Sequence, residues 1–556
     1  MNKIRVRDII GKGDTVCGDD RRIIAGITCD SRKAGKGWLF VAVKGERVNG
    51  NDFIEDAFER GAAAVVYEKG SIDTGLQDRF RDAVWIGVDD IRDAMARLSH
   101  AFYGRPSEQL TVVGITGTNG KTTTSYLIKA ILEQWGKAVG LIGTIQYLIR
   151  DTVAAAPHTT PEAPDFQALL REMADRGCSH IVTEVSSHAL AQKRVAHTRF
   201  AGAVFTNLTR DHLDFHKTMD AYFEAKERLF TELLAAGGFA VVNADDAYGR
   251  RLLETLRERG TRTLSYAVEN ADADVTVSGV KSTFKGLSFT VRLKEQGDAV
   301  LEAAMTSPLV GTTNLYNILS AVSAARMLGI PFPVIREGIA MAGLVKGRFE
   351  KVDVGQDFLA VVDYAHTEDA LERLLLTARQ LLEAYRFVEK AERMLKVKRR
   401  RFSMPGEGEP GRAGNGKIIT VVGCGGNRDK GKRSKMGAIA AALSDFVIIT
   451  SDNPRNEDPK AIIRDIEKGI KTDNYIVIPD RHVAISMAVE LASSGDIVLV
   501  AGKGHEDYQE IKGIRHGFSD RTALENAIRR TISRPAFGGG STYDGLYSAR
   551  SKECSC

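Results

Sequence analysis

The chain has 556 residues and carries 77 Lys+Arg against 72 Asp+Glu, so the formal net charge is +5. At about 150 residues per domain this length suggests three or four domains, and so small a charge excess does not indicate nucleic-acid or membrane binding. The 43% hydrophobic fraction excludes wholesale disorder, six cysteines are too few for a disulfide scaffold, and neither a membrane-spanning apolar run nor a secretory signal is found, so we expect a soluble, cytoplasmic enzyme.

Two patterns divide the first 345 residues. Short apolar runs mixed with helical stretches predict a small α/β domain over residues 1–105. Over residues 106–345, apolar strands alternate with helices, which predicts a parallel sheet with crossover helices. Apolar residues then alternate strictly between Val275 and Leu293, which predicts antiparallel strands with one wet face added to this central domain.

The alternation of strands and helices returns over residues 346–533 and predicts a Rossmann-like C-terminal domain. Apolar residues at helical spacing over 371–395 lead into a segment at about 380–416, here called the insert, which holds a basic run at 396–401. We expect a solvated, mobile loop there, because five cations without interleaved aromatic residues are a weak signal for nucleic-acid or lipid binding. Residues 534–556 predict a flexible tail.

The strongest local signal is Gly114-Ile-Thr-Gly-Thr-Asn-Gly-Lys-Thr-Thr123, which follows a predicted strand and opens a helix. Glycines let backbone N–H groups close around phosphate oxygens, and the helix N-terminus adds its dipole. Lys121 would reach the β- and γ-phosphates, and Thr122 would ligate Mg²⁺. The strict pattern places a glycine where Ile115 stands. The segment nevertheless predicts a nucleotide-binding loop rather than an ordinary strand–helix turn.

Acidic and imidazole side chains stand at the ends of two further predicted strands. Glu184 lies in Thr183-Glu-Val-Ser-Ser-His188, and His212 follows the strand at 203–206. In an α/β domain that already holds a phosphate loop, both side chains suit Mg²⁺ coordination. From spacing alone, an assignment as surface or capping residues stays open.

Taken in order, the motifs resemble those of the Mur ligases, ATP-dependent amide-bond-forming enzymes of peptidoglycan precursor synthesis. The series covers residues 25 to 525 and comprises 116–123, 158–162, 184–188, Asn207 with 211–212, Lys226, 314–317, 347–350 and 363–366. The resemblance implies a three-domain α/β protein with a UDP-sugar-binding N-terminal domain, a P-loop ATP-binding central domain and a Rossmann-like domain that brings the amino-acid substrate.

The resemblance also implies the reaction. ATP would phosphorylate the free carboxylate of UDP-N-acetylmuramoyl-L-Ala-D-Glu, and the amine of meso-diaminopimelate would displace phosphate to give an amide. Phosphorylation supplies the leaving group that a carboxylate lacks, while Mg²⁺ and Lys121 neutralise charge on the γ-phosphate. Lys226 matches a lysine that carries a CO₂-derived carbamate in the family. Carbamylation needs a neutral amine, so the site must lower the pKa of Lys226, although a helical lysine is ordinarily a solvated surface charge.

Site residues follow from the same resemblance. The implied catalytic residues are Lys121, Lys226, His212 and Glu184, and the implied metal ligands are Thr122, Glu184, His212 and carbamylated Lys226. The implied nucleotide-binding residues are Gly117, Thr118, Asn119, Gly120, Lys121, Thr122, Thr123, Asn317 and Arg348. The implied UDP-muramoyl-peptide-binding residues are Ser31, Thr159, Thr160, Ser186, Gln192 and Arg194. Ser186 and Thr160 also fit plain capping or turn roles.

Specificity for the added amino acid is implied by the third domain. The positions that match the diaminopimelate-adding form are Arg428, Asp452, Asn453, Pro454, Arg455, Gly502 and Glu506. Arg455 can fork onto the distal carboxylate of diaminopimelate, and Glu506 can pair with its ammonium. Lysine has no such carboxylate. A turn at Asp452-Asn-Pro is compatible with this role.

Two departures from the family pattern and two alternatives complete these expectations. The insert at about 380–416 is longer than the family norm. Glu368 stands where the family usually has proline, and a helix accepts glutamate in its first turn, so we expect little catalytic effect. The alternatives are a relative that adds another amino acid or folylpolyglutamate synthase, within the enzyme class, and a nucleotide-dependent scaffold that uses the basic run at 396–401. We expect a monomer with no nucleic-acid partner.

Overall fold

Three sheets of five, eleven and six strands follow one another along the chain. The structure is a computed structural model that describes residues 3–45, 48–294, 299–400 and 416–533. The predicted tail at 534–556 and the 401–415 part of the insert lie outside these ranges. Among the described residues, no helix combines the length and apolar character needed to cross a bilayer.

The first sheet has the strand order β2-β7-β6-β5-β4 and lies in the N-terminal part of the chain. The elements are β1 Ile4–Arg5, β2 Thr15–Cys17, β3 Ile23–Ile24, β4 Gly26–Thr28, β5 Trp38–Val41, α1 Ile54–Glu59, β6 Ala64–Glu68, α2 Thr74–Arg79, β7 Val84–Val88 and α3 Ile91–Phe102, with 3-10 helices at Val6–Asp8, Ser31–Lys33, Gly50–Phe53 and Pro106–Glu108. Strands β4 to β7 are parallel and β2 is antiparallel. Every residue of β7 is buried, as expected for a strand covered on both faces.

The central sheet has the order β11-β10-β9-β12-β8-β13-β14-β15-β16-β17-β18. Its strands are β8 Thr111–Thr116, β9 Val139–Ile142, β10 Gln146–Ile149, β11 Thr152–Ala155, β12 His180–Glu184, β13 Phe200–Phe205, β14 Leu234–Asn243, β15 Arg262–Tyr266, β16 Val275–Thr283, β17 Gly286–Lys294 and β18 Val300–Ser307. Its helices are α4 Lys121–Gln134, α5 Ala163–Asp175, α6 Ser187–Ala191, α7 Leu213–His216, α8 Met219–Thr231, α9 Ala247–Glu258, α10 Thr312–Met327 and α11 Phe332–Met341. Strand β8 pairs in parallel with β12 and β13, so the loops after all three meet at one edge.

The predicted antiparallel extension is confirmed. Strand β17 pairs antiparallel with β16 and β18. Leu287, Phe289, Val291 and Leu293 of β17 are buried and join the same core as α4, α10 and α11, while the residues between them are more exposed. The strict alternation of apolar residues therefore predicted correctly which face of β17 packs against the core.

The C-terminal sheet has the order β19-β20-β24-β21-β22-β23. The elements are β19 Glu350–Val352, β20 Leu359–Asp363, α12 Glu368–Arg400, β21 Ile418–Val422, α13 Gly431–Leu443, β22 Phe446–Ile449, α14 Pro459–Glu467, β23 Tyr475–Val477, α15 Arg481–Leu491, β24 Ile497–Ala501, β25 Tyr508–Ile511, β26 Ile514–Gly517 and α16 Asp520–Ile532. Strands β20 to β24 are parallel, and β25 and β26 form a separate hairpin. This doubly wound sheet is the Rossmann-like arrangement that the alternating pattern predicts.

Helix α12 corrects one expectation. It continues through Arg400, so Lys396, Lys398, Arg399 and Arg400 belong to a helix and not to a mobile loop. The reason is composition: from Glu368 to Arg400 the chain holds neither proline nor glycine and is rich in Leu, Glu, Lys and Arg, which favour helix. At the start of α12, Glu368 pairs with Lys435 of α13 at 3.3 Å.

Helix α12 also lies along the central domain. The Thr312 hydroxyl at the start of α10 donates to Gln380 Oε1 at 3.2 Å. One and a half turns further on, the ring of Tyr385 stacks on Phe284, which lies in the turn between β16 and β17, with centroids 4.9 Å apart. The helix therefore joins the six-stranded sheet of its own domain to two separate elements of the central domain.

Candidate active site

The glycine-rich loop after β8 is built as a phosphate loop. Gly117 and Gly120 have φ of +145° and +88°, which L side chains rarely adopt. A Cβ on Gly117 would lie 1.9 Å from Thr206 Oγ1, and a Cβ on Gly120 would lie 2.4 Å from Asn317 Oδ1. Helix α4 begins at Lys121, so its N-terminus points its unpaired N–H groups into the loop.

The end of β12 brings a carboxylate to the base of this loop. Glu184 is completely buried, and its Oε2 accepts hydrogen bonds from the hydroxyls of Thr122 at 3.0 Å and Thr144 at 2.8 Å. The Thr144 backbone N–H donates to Oε1 at 2.9 Å. Thr144 did not stand out in the sequence, because no spacing marks a threonine after β9 as a partner of β12.

The oxygen donors at this position fit Mg²⁺. A hydroxyl and a carboxylate in contact are hard ligands of the kind that this ion takes beside nucleotide phosphates. Among the described residues, no cluster of three or more His, Cys, Asp or Glu side chains is arranged to hold a metal. Thr122 and Glu184 would therefore hold the ion together with phosphate oxygens and water, and the ion would neutralise phosphate charge.

Two lysines converge on one carbonyl oxygen of the loop. Gly117 O accepts hydrogen bonds from Lys121 Nζ at 2.9 Å and from Lys226 Nζ at 2.7 Å. Lys226 is buried in α8 over the ring of Tyr222, and burial together with the neighbouring Lys121 charge holds the pKa of Lys226 well below its usual value. Burial also lowers the pKa of Lys121. Burial at this position therefore favours the neutral form of the Lys226 amine relative to a lysine in water.

His212 takes a strained position beside the same loop. It has φ of +53° and precedes α7, and its Nε2 lies 3.4 Å from Asp211 Oδ2. Its ring meets that of His188 edge to face, with centroids 4.7 Å apart. Burial is the main cause that lowers the pKa of His212 and keeps its ring neutral, in spite of the Asp211 carboxylate.

A cavity of about 280 Å³ lies between the phosphate loop and the C-terminal domain. The central domain contributes 118–123, Glu184, His212 and Asn317, and the C-terminal domain contributes Arg348, Tyr364 and His366. Arg348 Nη2 donates to Thr122 Oγ1 at 3.4 Å, and its guanidinium lies over the Tyr364 ring at 4.8 Å. The cavity therefore combines a phosphate loop with a permanently charged arginine from the other domain.

Asp369 in the first turn of α12 bridges the two domains. Its Oδ2 accepts hydrogen bonds from Asn119 Nδ2 at 2.8 Å and from the Thr209 hydroxyl at 3.3 Å, and its Oδ1 accepts from Arg373 Nε at 2.9 Å. Sequence reasoning missed this residue, because it lies 250 positions from its partner in the loop. The contact holds the C-terminal domain against the phosphate loop.

Replacing Asp369 by alanine is expected to raise the KM for the expected nucleotide, ATP, about tenfold, because it removes two hydrogen bonds that orient the loop. Steady-state kinetics with varied ATP measures the change. The neighbouring Glu368→Gln variant loses its pair with Lys435 and serves as the matched control with an unchanged KM. Equal effects in both variants would show that the first turn of α12, and not the Asp369 contact, matters.

The residues implied for the muramoyl peptide fall into two places. Thr159 lines the cavity and its hydroxyl lies 3.1 Å from that of Thr144. Thr160 bonds the main chain at Glu184 and Ser186, and Ser186 caps α6. The capping role is thus present for Ser186, while Thr160 ties the loop at residues 159–160 to the end of β12. Arg194 binds Gln192 Oε1, the Thr160 carbonyl and Glu162, whereas Ser31 is buried in a 3-10 helix of the N-terminal domain.

The residues implied for diaminopimelate lie together at the carboxyl ends of β22 and β24. Arg455 has φ of +52°, and its Nη1 donates to Gly426 O at 2.7 Å. Asn453 Nδ2 donates to Glu506 Oε2 at 2.7 Å. A Cβ on Gly502 would lie 2.7 Å from Asp452 Oδ2, which explains glycine there. Arg428, by contrast, is exposed. The structure thus joins two segments that are about fifty residues apart.

The residues implied for diaminopimelate lie next to the cavity, because two glycines allow their loop to pack closely on the turn that carries Arg348. A Cβ on Gly347 would lie 2.2 Å from the backbone nitrogen of His505, and a Cβ on Gly504 would lie 2.6 Å from Tyr364 Cβ. The turn that carries Arg348 therefore packs directly on the loop that carries Glu506. Burial lowers the pKa of His505 to about 4, so its ring is neutral between them.

A phosphate loop, a buried carboxylate and a facing α/β domain with its own polar cluster define an enzyme that uses a nucleotide at a domain boundary. Comparison with known proteins narrows this class. Residues 23–103 match the model described as Mur ligase family, catalytic domain, residues 115–325 match Mur ligase middle domain, and residues 410–504 match Mur ligase, glutamate ligase domain. The chain belongs to the Mur ligase family.

Individual relatives agree over nearly the whole length. UDP-N-acetylmuramoyl-L-alanyl-D-glutamate--2,6-diaminopimelate ligase of Geobacter metallireducens is 42% identical over 92% of this chain and 95% of its own. The protein of that name from Geobacter sulfurreducens is also 42% identical, over 95% of this chain and 100% of its own. A solved structure of a ligase of that name matches with a TM-score of 0.62 at 31% identity and covers 96% of this chain and 100% of the other.

Proposed function

We propose that this chain is an ATP-dependent, ADP-forming ligase that adds meso-diaminopimelate to UDP-N-acetylmuramoyl-L-Ala-D-Glu in peptidoglycan precursor synthesis. The observation that carries the proposal is the cavity in which Lys121, Thr122 and Glu184 face Arg348 of the other domain. The relatives named for this reaction, at 42% identity over most of their length, support the choice of substrates.

The geometry supports activation of a carboxylate by phosphorylation. The N–H groups of the phosphate loop, with Lys121, hold the ATP phosphates, and Arg348 neutralises charge on the phosphate that moves. The substrate carboxylate attacks the γ-phosphorus, the bond to the β-phosphate oxygen breaks, and ADP leaves. The amine of the amino acid then attacks the acyl carbon, and phosphate departs with the former carboxylate oxygen. Thr122 and Glu184 would hold Mg²⁺, which when bound would supply neutralisation of the phosphate charge.

The carbamate on Lys226 is part of this proposal. Two cationic lysines on one carbonyl oxygen repel each other, and a carbamate would replace that repulsion by attraction between Lys226 and Lys121. The burial that lowers the pKa of Lys226 supports the neutral amine that reaction with CO₂ requires. His212 would then face an anionic group and not a second ammonium.

The roles of the three regions follow. We assign UDP-sugar binding to 1–105, ATP binding to 106–345 and amino-acid binding to 346–533. Because ATP and UDP-linked sugars are intracellular metabolites, the proposed enzyme is cytoplasmic, and one chain contains every residue that the mechanism uses, so a monomer suffices. Light scattering after size-exclusion chromatography tests the oligomeric state.

Phosphate release tests the function. The purified chain is mixed with ATP, Mg²⁺ and UDP-N-acetylmuramoyl-L-Ala-D-Glu, and either meso-diaminopimelate or L-lysine is added. Release of phosphate and a tripeptide product with diaminopimelate alone is the expected result. Product with L-lysine alone would keep the ligase and refute the diaminopimelate assignment, and product with neither would refute the proposed function.

A further inference from the structure

A buried lysine lies among the acidic side chains of the candidate diaminopimelate site. Lys503 is 0% exposed, and its Nζ donates to Glu506 Oε2 and to Asn453 Oδ1, at 3.0 Å in each case. The same nitrogen lies 3.8 Å from Asp452 Oδ1. Lys503 was not among the residues that the sequence singled out, although it sits between Gly502 and Glu506. The site therefore has a cation of its own.

The charges of this cluster do not cancel. Asp452 and Glu506 carry two negative charges and Lys503 carries one positive charge, while Arg455 and Glu510, whose Nε and Oε2 lie 3.6 Å apart, contribute one charge of each sign. The neighbouring Arg481 adds none, because its Nε and Nη2 each lie 2.7 Å from an oxygen of the buried Asp520 carboxylate. One negative charge is left, which is enough to pair with one ammonium group.

Lys503 also fixes the direction of Glu506. Oε2 of Glu506 accepts from both Lys503 Nζ at 3.0 Å and Asn453 Nδ2 at 2.7 Å. Asn453 is itself held, because its Oδ1 accepts from Lys503 and from the Glu510 backbone N–H at 2.9 Å. With Oε2 held in this way, Oε1 is the oxygen of Glu506 that is left to accept from a further donor.

We propose that Lys503 is a positioning and specificity-determining residue of the amino-acid site. By cancelling one of two carboxylate charges and orienting Glu506, it makes the site, together with the Arg455 guanidinium, electrically complementary to a distal group that bears one ammonium and one carboxylate. Without Lys503 the site has a net charge of −2 and favours an ammonium alone, as at the end of L-lysine. The inference rests on the proposed function, because it takes this cluster as the diaminopimelate site.

The decisive comparison uses Glu506→Gln and the double variant Glu506→Gln/Lys503→Met. In the single variant Asp452 and Lys503 cancel, so no net charge is left for the ammonium, and the KM for meso-diaminopimelate is expected to rise tenfold or more, about the effect of one lost charge pair. In the double variant Asp452 alone remains and the net charge returns to −1. Its KM is expected to fall to about one fifth of the single-variant value or less. A lysine needed for packing alone would make the double variant worse.

Lys503→Met by itself measures specificity. The ratio of kcat/KM for meso-diaminopimelate to that for L-lysine is expected to fall about tenfold, with the KM for ATP unchanged. Lys468→Met is the matched control, because Lys468 is an exposed lysine of the same domain that pairs with Asp465. Removing one partner of a buried pair also destabilises the fold, and if Lys503→Met does not fold, the comparison of single and double variants decides.

Two results would overturn the proposal. One is a ratio in Lys503→Met equal to that of the wild type, and the other is a KM in the double variant at or above that of Glu506→Gln. A different failure would concern the proposed function: wild-type protein that turns over neither amino acid would refute the diaminopimelate site and, with it, the role of Lys503.

Discussion

Replacing Lys226 by alanine is expected to lower kcat by about two to three orders of magnitude while the fold is retained. The lysine is buried beneath the phosphate loop, and its Nζ bonds Gly117 O at 2.7 Å beside Lys121. If it carries a carbamate, its loss removes an anion next to that ammonium. Phosphate release with saturating substrates measures the loss.

Addition of small carboxylates tests whether Lys226 acts through a carbamate. Acetate or formate in the space left by Lys226→Ala is expected to restore part of the activity, and not to change that of the wild type. The same salts added to Lys129→Ala, which alters a mostly buried lysine of α4 paired with Glu133, are the control. Full activity in Lys226→Ala would refute the carbamate role, and a low activity without rescue would leave Lys226 as a loop-supporting cation.

Replacing Arg455 by alanine is expected to raise the KM for meso-diaminopimelate about a hundredfold and to change the KM for ATP little. A guanidinium can bind a carboxylate through two parallel hydrogen bonds, which one ammonium or a methyl group cannot reproduce. One arm of Arg455 is already held by Gly426 O, so the group is pre-oriented before the substrate binds. Initial rates with each substrate varied in turn separate the two constants.

Two control comparisons test whether the effect of Arg455→Ala is specific to the distal carboxylate of diaminopimelate. Arg464→Ala removes an exposed arginine of the same domain that faces Asp458 at 3.7 Å, and it is expected to leave both constants unchanged. Turnover of L-lysine by Arg455→Ala is expected to equal that of the wild type, because lysine has no distal carboxylate. A matched rise in the KM for ATP and for diaminopimelate would point to misfolding of the C-terminal domain.

The elements whose apolar residues form a clear run or recur at a regular spacing could be predicted from the sequence. Strand β8, helix α4 and the face of β17 follow from an apolar run, a glycine turn and strict alternation, which are local properties. The short hairpins β10–β11 and β25–β26 were missed, because their strands have four residues each and β11 is wholly exposed. The part of the basic run at 396–400 was predicted to lie in a loop, because its charge was given more weight than its helix propensity.

The residues of the candidate site also divide into those that the sequence predicts and those that it does not. Lys121 and Thr122 lie in a motif whose spacing indicates their chemistry, whereas spacing alone left the role of Glu184 open, and the structure brings Thr122 and Glu184 into contact. Partners such as Asp369 and Thr144 depend on contacts between distant segments, which one sequence does not report. The roles of Arg348 and Arg455 came from family resemblance, and their assignment to phosphate and to diaminopimelate stays a prediction.

Helix α12 carries contacts that would restrict any rotation of the C-terminal domain against the central domain. Its contacts with the central domain, at Asp369, Gln380 and Tyr385, lie along one helix. Asp369 and Tyr385 are sixteen residues apart, which is about 24 Å of helix. A rigid body held at two points keeps a single rotation, about the line that joins them. A rotation that preserves the contacts of Asp369 and Tyr385 must therefore have the axis of α12 as its rotation axis. Such a rotation moves Arg455 and Glu506 relative to the central domain while Asp369 stays bonded to the phosphate loop.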